Sequence, residues 1–130
     1  MFRRGLARTA ILGLEFGPMS SQSSPAAPKG GVVFFERREL DRLLRLYGRM
    51  VAAGEWRDYA MDFTRDYAAF AAFRRTAEVP QMRLEKRPAL RARQGMWVLF
   101  GEHGQVLRRG HELAGVLAPV ERRLLKVVSG

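Results

Sequence analysis

An α+β fold is what this sequence predicts, with an N-terminal helix, an antiparallel sheet of four to five strands and a C-terminal helix. Three observations carry that expectation. Leucines recur at helical spacing from Leu40 onward, a second aliphatic stripe runs from Leu113 to Leu124, and between them short alternating runs are punctuated by turn residues.

Taken in order, Val32–Phe35 is a four-residue apolar run that reads as a short strand entering the first helix. In that helix Leu40, Leu43, Leu44, Tyr47, Met50 and Val51 fall on one face, and Arg38, Asp41, Arg42, Arg45 and Arg49 on the other. Glu36 at the N-cap with Glu39 three residues on is a weakened capping box, and Phe35 and Leu40 stand where a hydrophobic staple would. Gly54 suits the position just past a helix end, so the helix should stop at Ala52 or Ala53.

From Arg57 to Phe63, Tyr59, Met61 and Phe63 alternate with Asp58, Ala60 and Asp62, the pattern of a half-buried strand. Thr64-Arg65-Asp66 is a turn, which makes Tyr67–Arg74 the return strand of a hairpin although Tyr67, Phe70 and Phe73 are spaced three apart. Gln81–Arg87 alternates Met82 and Leu84 with Arg83 and Glu85; Pro88 ends it, and Ala89–Gln94 is a basic loop. Gly95–Phe100 and Gln105–Arg109 flank a glycine-bounded turn, the clearest hairpin in the chain. In the last helix Leu113, Val116, Leu117, Val120 and Leu124 share a stripe that contains Pro119. An interior proline costs about 3 kcal/mol, so the helix should be kinked or split there.

The residues before Val32 read differently. Met1–Pro18 carries Arg3, Arg4 and Arg8 against Glu15, and its apolar patch Ala10–Leu14 is too short and too soon interrupted for a signal peptide. Met19 is an alternative start, and the Ser-, Pro- and Gly-rich stretch that follows is a flexible leader. Residues 1–31 are therefore expected to be disordered and 32–130 to form a single α+β domain.

Composition excludes several chemistries. With no cysteine there are no disulfides, thiolate nucleophiles or thiolate metal sites. Two histidines, His103 and His111, are too few for the usual structural or catalytic metal centre, so no metal or cofactor is expected. No apolar run approaches membrane-spanning length, and a cytoplasmic location is expected. The formal charge is +10, carried by 20 arginines and 3 lysines. Such a surface attracts polyanions and acidic proteins, and the planar guanidinium fork suits phosphate and carboxylate.

Two sets of residues are candidates for a site. The first is polar: Trp56, Asp58, Asp62 and His111. Asp58 and Asp62 share a strand face but stand roughly 13 Å apart by strand rise, too far for two carboxylates to share a proton. His111 has no carboxylate partner evident in the sequence, and no phosphate loop, dinucleotide fingerprint or nucleophile elbow is present. No catalytic residue is assigned. The second set is basic: Arg74, Arg75, Arg83, Lys86, Arg87, Arg91, Arg93, Arg108 and Arg109, with Phe70, Phe73 and Trp97 in the same strands. Cations for phosphates and flat rings for bases on one sheet are the means of several single-strand binders.

The segments LYGRMVAAGEWRDYAMDF (Leu46–Phe63) and EKRP (Glu85–Pro88), then Arg93–Gly95 and Arg109–Gly110–His111, resemble a family of small uncharacterised bacterial proteins catalogued as a domain of unknown function. The resemblance spans roughly Val32 to Leu125 and leaves the leader outside. It implies no activity, cofactor or catalytic residue that could be carried over.

A non-catalytic protein-interaction or regulatory module is accordingly the first expectation, with an unidentified protein or a second copy of the chain as partner. RNA or single-stranded DNA binding through the arginine-rich sheet and loops is the alternative. An enzyme or small-molecule binder ranks third.

Overall fold

The structure, a computed structural model, describes residues 31–75 and 79–129. The leader up to Gly30 and the alternative start at Met19 lie outside the described residues. The elements are α1 (Arg37–Ala52), β1 (Asp58–Phe63), β2 (Ala68–Phe73), β3 (Met82–Lys86), a 3₁₀ turn (Pro88–Leu90), β4 (Trp97–Phe100), β5 (Val106–Gly110) and α2 (Leu113–Ser129). All five strands pair antiparallel in the order β1-β2-β3-β4-β5, so the sheet is a meander. The α+β class is as the sequence predicts.

Helix α1 starts at the expected N-cap, where the Glu36 backbone N–H donates to Glu39 Oε1 at 2.7 Å. It closes at Ala52 in a Schellman arrangement: Glu55 N–H donates to the Met50 carbonyl and Gly54 N–H to that of Val51, both at 2.9 Å. That turn needs a left-handed residue, and Gly54 has φ +78°. The buried stripe is Leu43, Leu46 and Met50, with Leu40, Leu44 and Tyr47 on its flanks. Val51 is exposed instead, because the stripe is centred one position away from the face the leucine pattern suggested.

The predicted strand at Val32–Phe35 does not form. Only one of its backbone groups reaches the neighbouring hairpin, Val33 N–H donating to the Thr64 carbonyl at 2.8 Å, and Phe35 is held by burial rather than by a ladder. The β1–β2 turn is organised by Thr64, whose Oγ1 accepts the backbone N–H of Asp66 and of Tyr67 at 3.2 and 3.1 Å. The predicted basic loop at 89–94 begins in the 3₁₀ turn and is laced by Arg91, Arg93 and Gly95 N–H bonds back to Pro88 and Leu90. Gly95, at φ +98°, lies against Gly110; a Cβ there would come within 2.4 Å of the Gly110 carbonyl group. The sequence segments ending in Gly95 and containing Gly110 therefore meet, backbone to backbone.

Helix α2 runs in one piece through Pro119, so the proline does not split it. The Gly115 carbonyl, which would have bonded an N–H at 119, instead accepts from Arg108 Nη1 at 3.3 Å. A strand side chain thus replaces the donor that proline lacks.

Both helices pack on one face of the sheet. The main core there joins Leu43, Leu46 and Met50 of α1 and Val116, Leu117 and Leu124 of α2 to Phe70, Leu84, Trp97 and Leu99. On the other face Ala60, Ala69, Ala71 and Phe73 form a smaller buried cluster with Tyr67 at its margin. Strand alternation divides the two faces, and this division decides where every candidate side chain goes.

Candidate functional site

The basic residues do not form one surface. Lys86 continues the Met82–Leu84 alternation into the helix side, where Nζ donates to Glu39 Oε1 at 2.7 Å and to the Phe34 carbonyl at 3.0 Å. Its side chain is only 7% exposed and lies 5.8 Å from the Trp97 ring centroid. Lys86 is a structural cation that ties the approach to α1 down onto the sheet.

Arg83 is withdrawn as well, on the opposite face. Arg83 Nε and Arg87 Nε each hold one oxygen of Glu85 at 2.8 Å, and both guanidinium groups lie against the Tyr67 ring, 5.4 and 4.7 Å from its centroid. Tyr67 Oη donates in turn to Asp62 Oδ2 at 3.3 Å. Asp62, Tyr67, Arg87, Glu85 and Arg83 thereby form a polar lattice across β1, β2 and β3. Arg108 serves the Gly115 carbonyl. Of the nine predicted cations, Arg74, Arg75, Arg91, Arg93 and Arg109 stay at the surface along with Arg108 and the half-buried Arg87.

The aromatic half of the nucleic-acid pattern is absent from the surface. Phe70, Phe73 and Trp97 are all buried, Phe70 completely, and no base could stack on them. Three-residue spacing of rings on β2 resulted in one ring on each side of the sheet, and both sides are core.

The predicted polar site is not assembled. Trp56 is buried on the helix side, stacked 6.0 Å from Tyr47, with Nε1 donating to Gln81 Oε1 at 2.9 Å. It does not share a face with Asp58 and Asp62, because the turn after α1 swings it inward before β1 begins. His111 follows β5, the far edge of the sheet from β1, about 19 Å away over four strand spacings. Among the described residues no group of three or more acids and histidines is placed to hold a metal ion. No helix of the described residues is long and apolar enough to cross a membrane.

Two features were not selected from the sequence. The first is the outer face of α1. Arg38, Arg42, Arg45 and Arg49 follow one another at four-, three- and four-residue steps, one stripe along the exposed side of the helix. Arg42 reaches Glu121 of α2 at 3.4 Å, whereas Arg38, Arg45 and Arg49 have no carboxylate partner among the described residues. Leu125 and Val128 continue the Glu121 stripe of α2, each 62% exposed. The signal is present in the helical periodicity, on the face opposite the leucines.

The second is a cleft of about 380 Å³ at the end of the sheet where the β4–β5 turn meets α2 and the end of α1. Met50, Trp56, Met82 and Val120 line its apolar side, and Arg74, Gln81, Glu102, His103, Gln105 and Arg123 its polar side. Arg123 donates through Nε and Nη2 to Glu55 Oε1 at 3.1 and 2.9 Å, and Arg74 Nη2 approaches the same oxygen at 3.5 Å. Arg74, Arg75 and His103 also line an adjoining hollow of about 510 Å³.

A two-helix layer on a five-stranded meander, with surplus arginine and no converged catalytic set among the described residues, defines a small basic α+β domain. The chain belongs to the DUF2794 family, described as a protein of unknown function, whose model matches residues 33–117. That span covers α1, the whole sheet and the first turn of α2, and the leader falls outside it as expected. No curated protein matches the chain. No solved structure matches it either.

Proposed function

We propose that this domain is a non-catalytic interaction module that docks an acidic protein surface against the outer face of α1. The observation that carries the reading is a stripe of four exposed arginines on α1, three of them with no carboxylate partner among the described residues, together with exposed aliphatic residues on α2. Arg38, Arg45 and Arg49 span about 16 Å of helix, and Arg42 ties the stripe to Glu121 of α2, the helix that carries the exposed Leu125 and Val128. Arginine with apolar anchors is the composition of protein interfaces. Single-strand binding draws on surface rings, and the sheet's rings are in the core.

The test compares the wild-type chain with the triple variant Arg38→Glu, Arg45→Glu, Arg49→Glu as bait in extract of the source cell, with and without nuclease. A protein retained by the wild type in nuclease-treated extract and lost with the triple variant supports the proposal. Retention that disappears with nuclease replaces it with nucleic-acid binding. Identical retention by both baits removes α1 from consideration.

A further inference from the structure

We propose that the cleft at the β4–β5 end of the sheet binds a small amphiphilic anion, a carboxylate or phosphate head on a short apolar body. This is a second site, lined by none of the α1 arginines and independent of protein docking.

Unused guanidinium donors, rather than net charge, favour the anion. Arg74 and Arg123 both converge on a single oxygen of Glu55, and Glu102 lines the same cleft. Their side chains remain 44% and 51% exposed, and Arg123 Nη1 is not used in that contact. A forked guanidinium with spare donors is the group best matched to carboxylate or phosphate oxygens. The adjoining His103 and Gln105 add polar hydrogen-bonding capacity, and Gln105 is already fixed, its Oε1 accepting the His103 backbone N–H at 2.9 Å.

Shape and lining argue for the apolar body. The wall opposite the arginines is Met50, Trp56, Met82 and Val120, all belonging to the main core. Leu107 completes it, and Leu107 is there because of a local irregularity in the sheet. Leu99 pairs with Arg108 and Phe100 with Val106, so Leu107 is the extra residue of a β-bulge and is turned toward the cleft, 43% exposed. Bulges commonly re-aim one side chain beside a site. The Trp56 indole, pinned by Gln81, keeps the wall rigid. A volume near 380 Å³ equals that of about a dozen waters, which suits a ligand of similar heavy-atom count and lies in the range of small-molecule sites.

The experiment titrates the ¹⁵N-labelled full chain with octanoate, octyl phosphate, acetate and octan-1-ol, following the Trp56 indole and the Gln105 and Leu107 amides. Saturable shifts at these three positions with octanoate or octyl phosphate, and much weaker ones with acetate, are expected. The two headed ligands distinguish carboxylate from phosphate as the preferred head. Arg74→Gln with Arg123→Gln should weaken binding by about tenfold or more. Leu107→Asp, at an exposed position that leaves the ion pairs intact, should abolish it while the spectrum elsewhere is unchanged. No saturation by about 10 mM overturns the proposal, since that limit lies beyond ordinary weak binding. Octan-1-ol binding as tightly as octanoate also overturns it, as do shifts spread over the α1 arginines. The triple α1 variant should bind octanoate normally, which separates this site from the docking face.

Discussion

Lys86 shows what one side chain contributes. Its ammonium is enclosed between Glu39 and the Phe34 carbonyl, so deleting it strands a carboxylate that also caps α1. Breaking a buried pair from one side costs about 3 kcal/mol or somewhat more. Lys86→Ala should lose that much in urea unfolding, and Lys86→Met combined with Glu39→Gln should recover most of it, because the charge left behind is gone and the stem still packs on Trp97. Tyr47 is a second case. Burial raises its phenol above the ordinary value, and the charges of Asp58 and Tyr59 add to the effect. The folded state thus holds this proton more tightly than the unfolded chain does. The corresponding stability is present below about pH 10, the unfolded value, and is lost as pH rises through the folded one. Urea midpoints at about pH 9 and about pH 11 should differ less in Tyr47→Phe than in the wild type.

At the level of the element, α2 and β5 depend on one another. If Arg108 supplies the donor that Pro119 lacks, the two residues are energetically coupled. Pro119→Ala should stabilise the helix by about 1–2 kcal/mol, less than the full interior penalty because Arg108 already offsets part of it. Arg108→Gln should cost about 0.5 kcal/mol in the wild type and close to nothing in Pro119→Ala. A double-mutant cycle by chemical denaturation measures the difference. Elements were the most legible level of the sequence. Periodicity located both helices and several of the strands, the Thr64–Asp66 turn decided the second strand against its three-residue ring spacing, and glycine marked the Gly101–Gly104 turn and the end of α1. Val32–Phe35 misled because an apolar run does not supply a pairing partner. Lys86 was misplaced although the Met82–Leu84–Lys86 alternation points it inward, since charge outweighed period in the reading. The burial of Arg83 was not legible. It depends on Tyr67 from the β1–β2 turn, and register across the sheet is tertiary information.

For the molecule as a whole, the arginine surplus sets the conditions of its behaviour. Many of the cations lie within each other's field, and self-repulsion destabilises a compact chain. Raising salt from low ionic strength to about 0.15 M, where the screening length falls to about 8 Å, should raise the melting temperature. The triple α1 variant, each reversal removing two charges, brings the formal +10 down to +4 and should flatten that dependence. Equal salt slopes for the two proteins would show that the α1 stripe is not where the repulsion is concentrated. The candidate sites were the least legible feature at this scale, because a cleft is made by turns that sequence spacing does not bring together.

The meander has one more consequence. Because the strands pair in chain order, every connection the sheet has to close is local, the longest being residues 87–96 between β3 and β4. Assembly can zip from one turn to the next, and the slow, entropically demanding step is left to the two helices, which are translated at opposite ends and must find each other across the finished strands. Mutations in the hairpin turns should therefore change the folding rate, and mutations at the α1–α2 contact the unfolding rate.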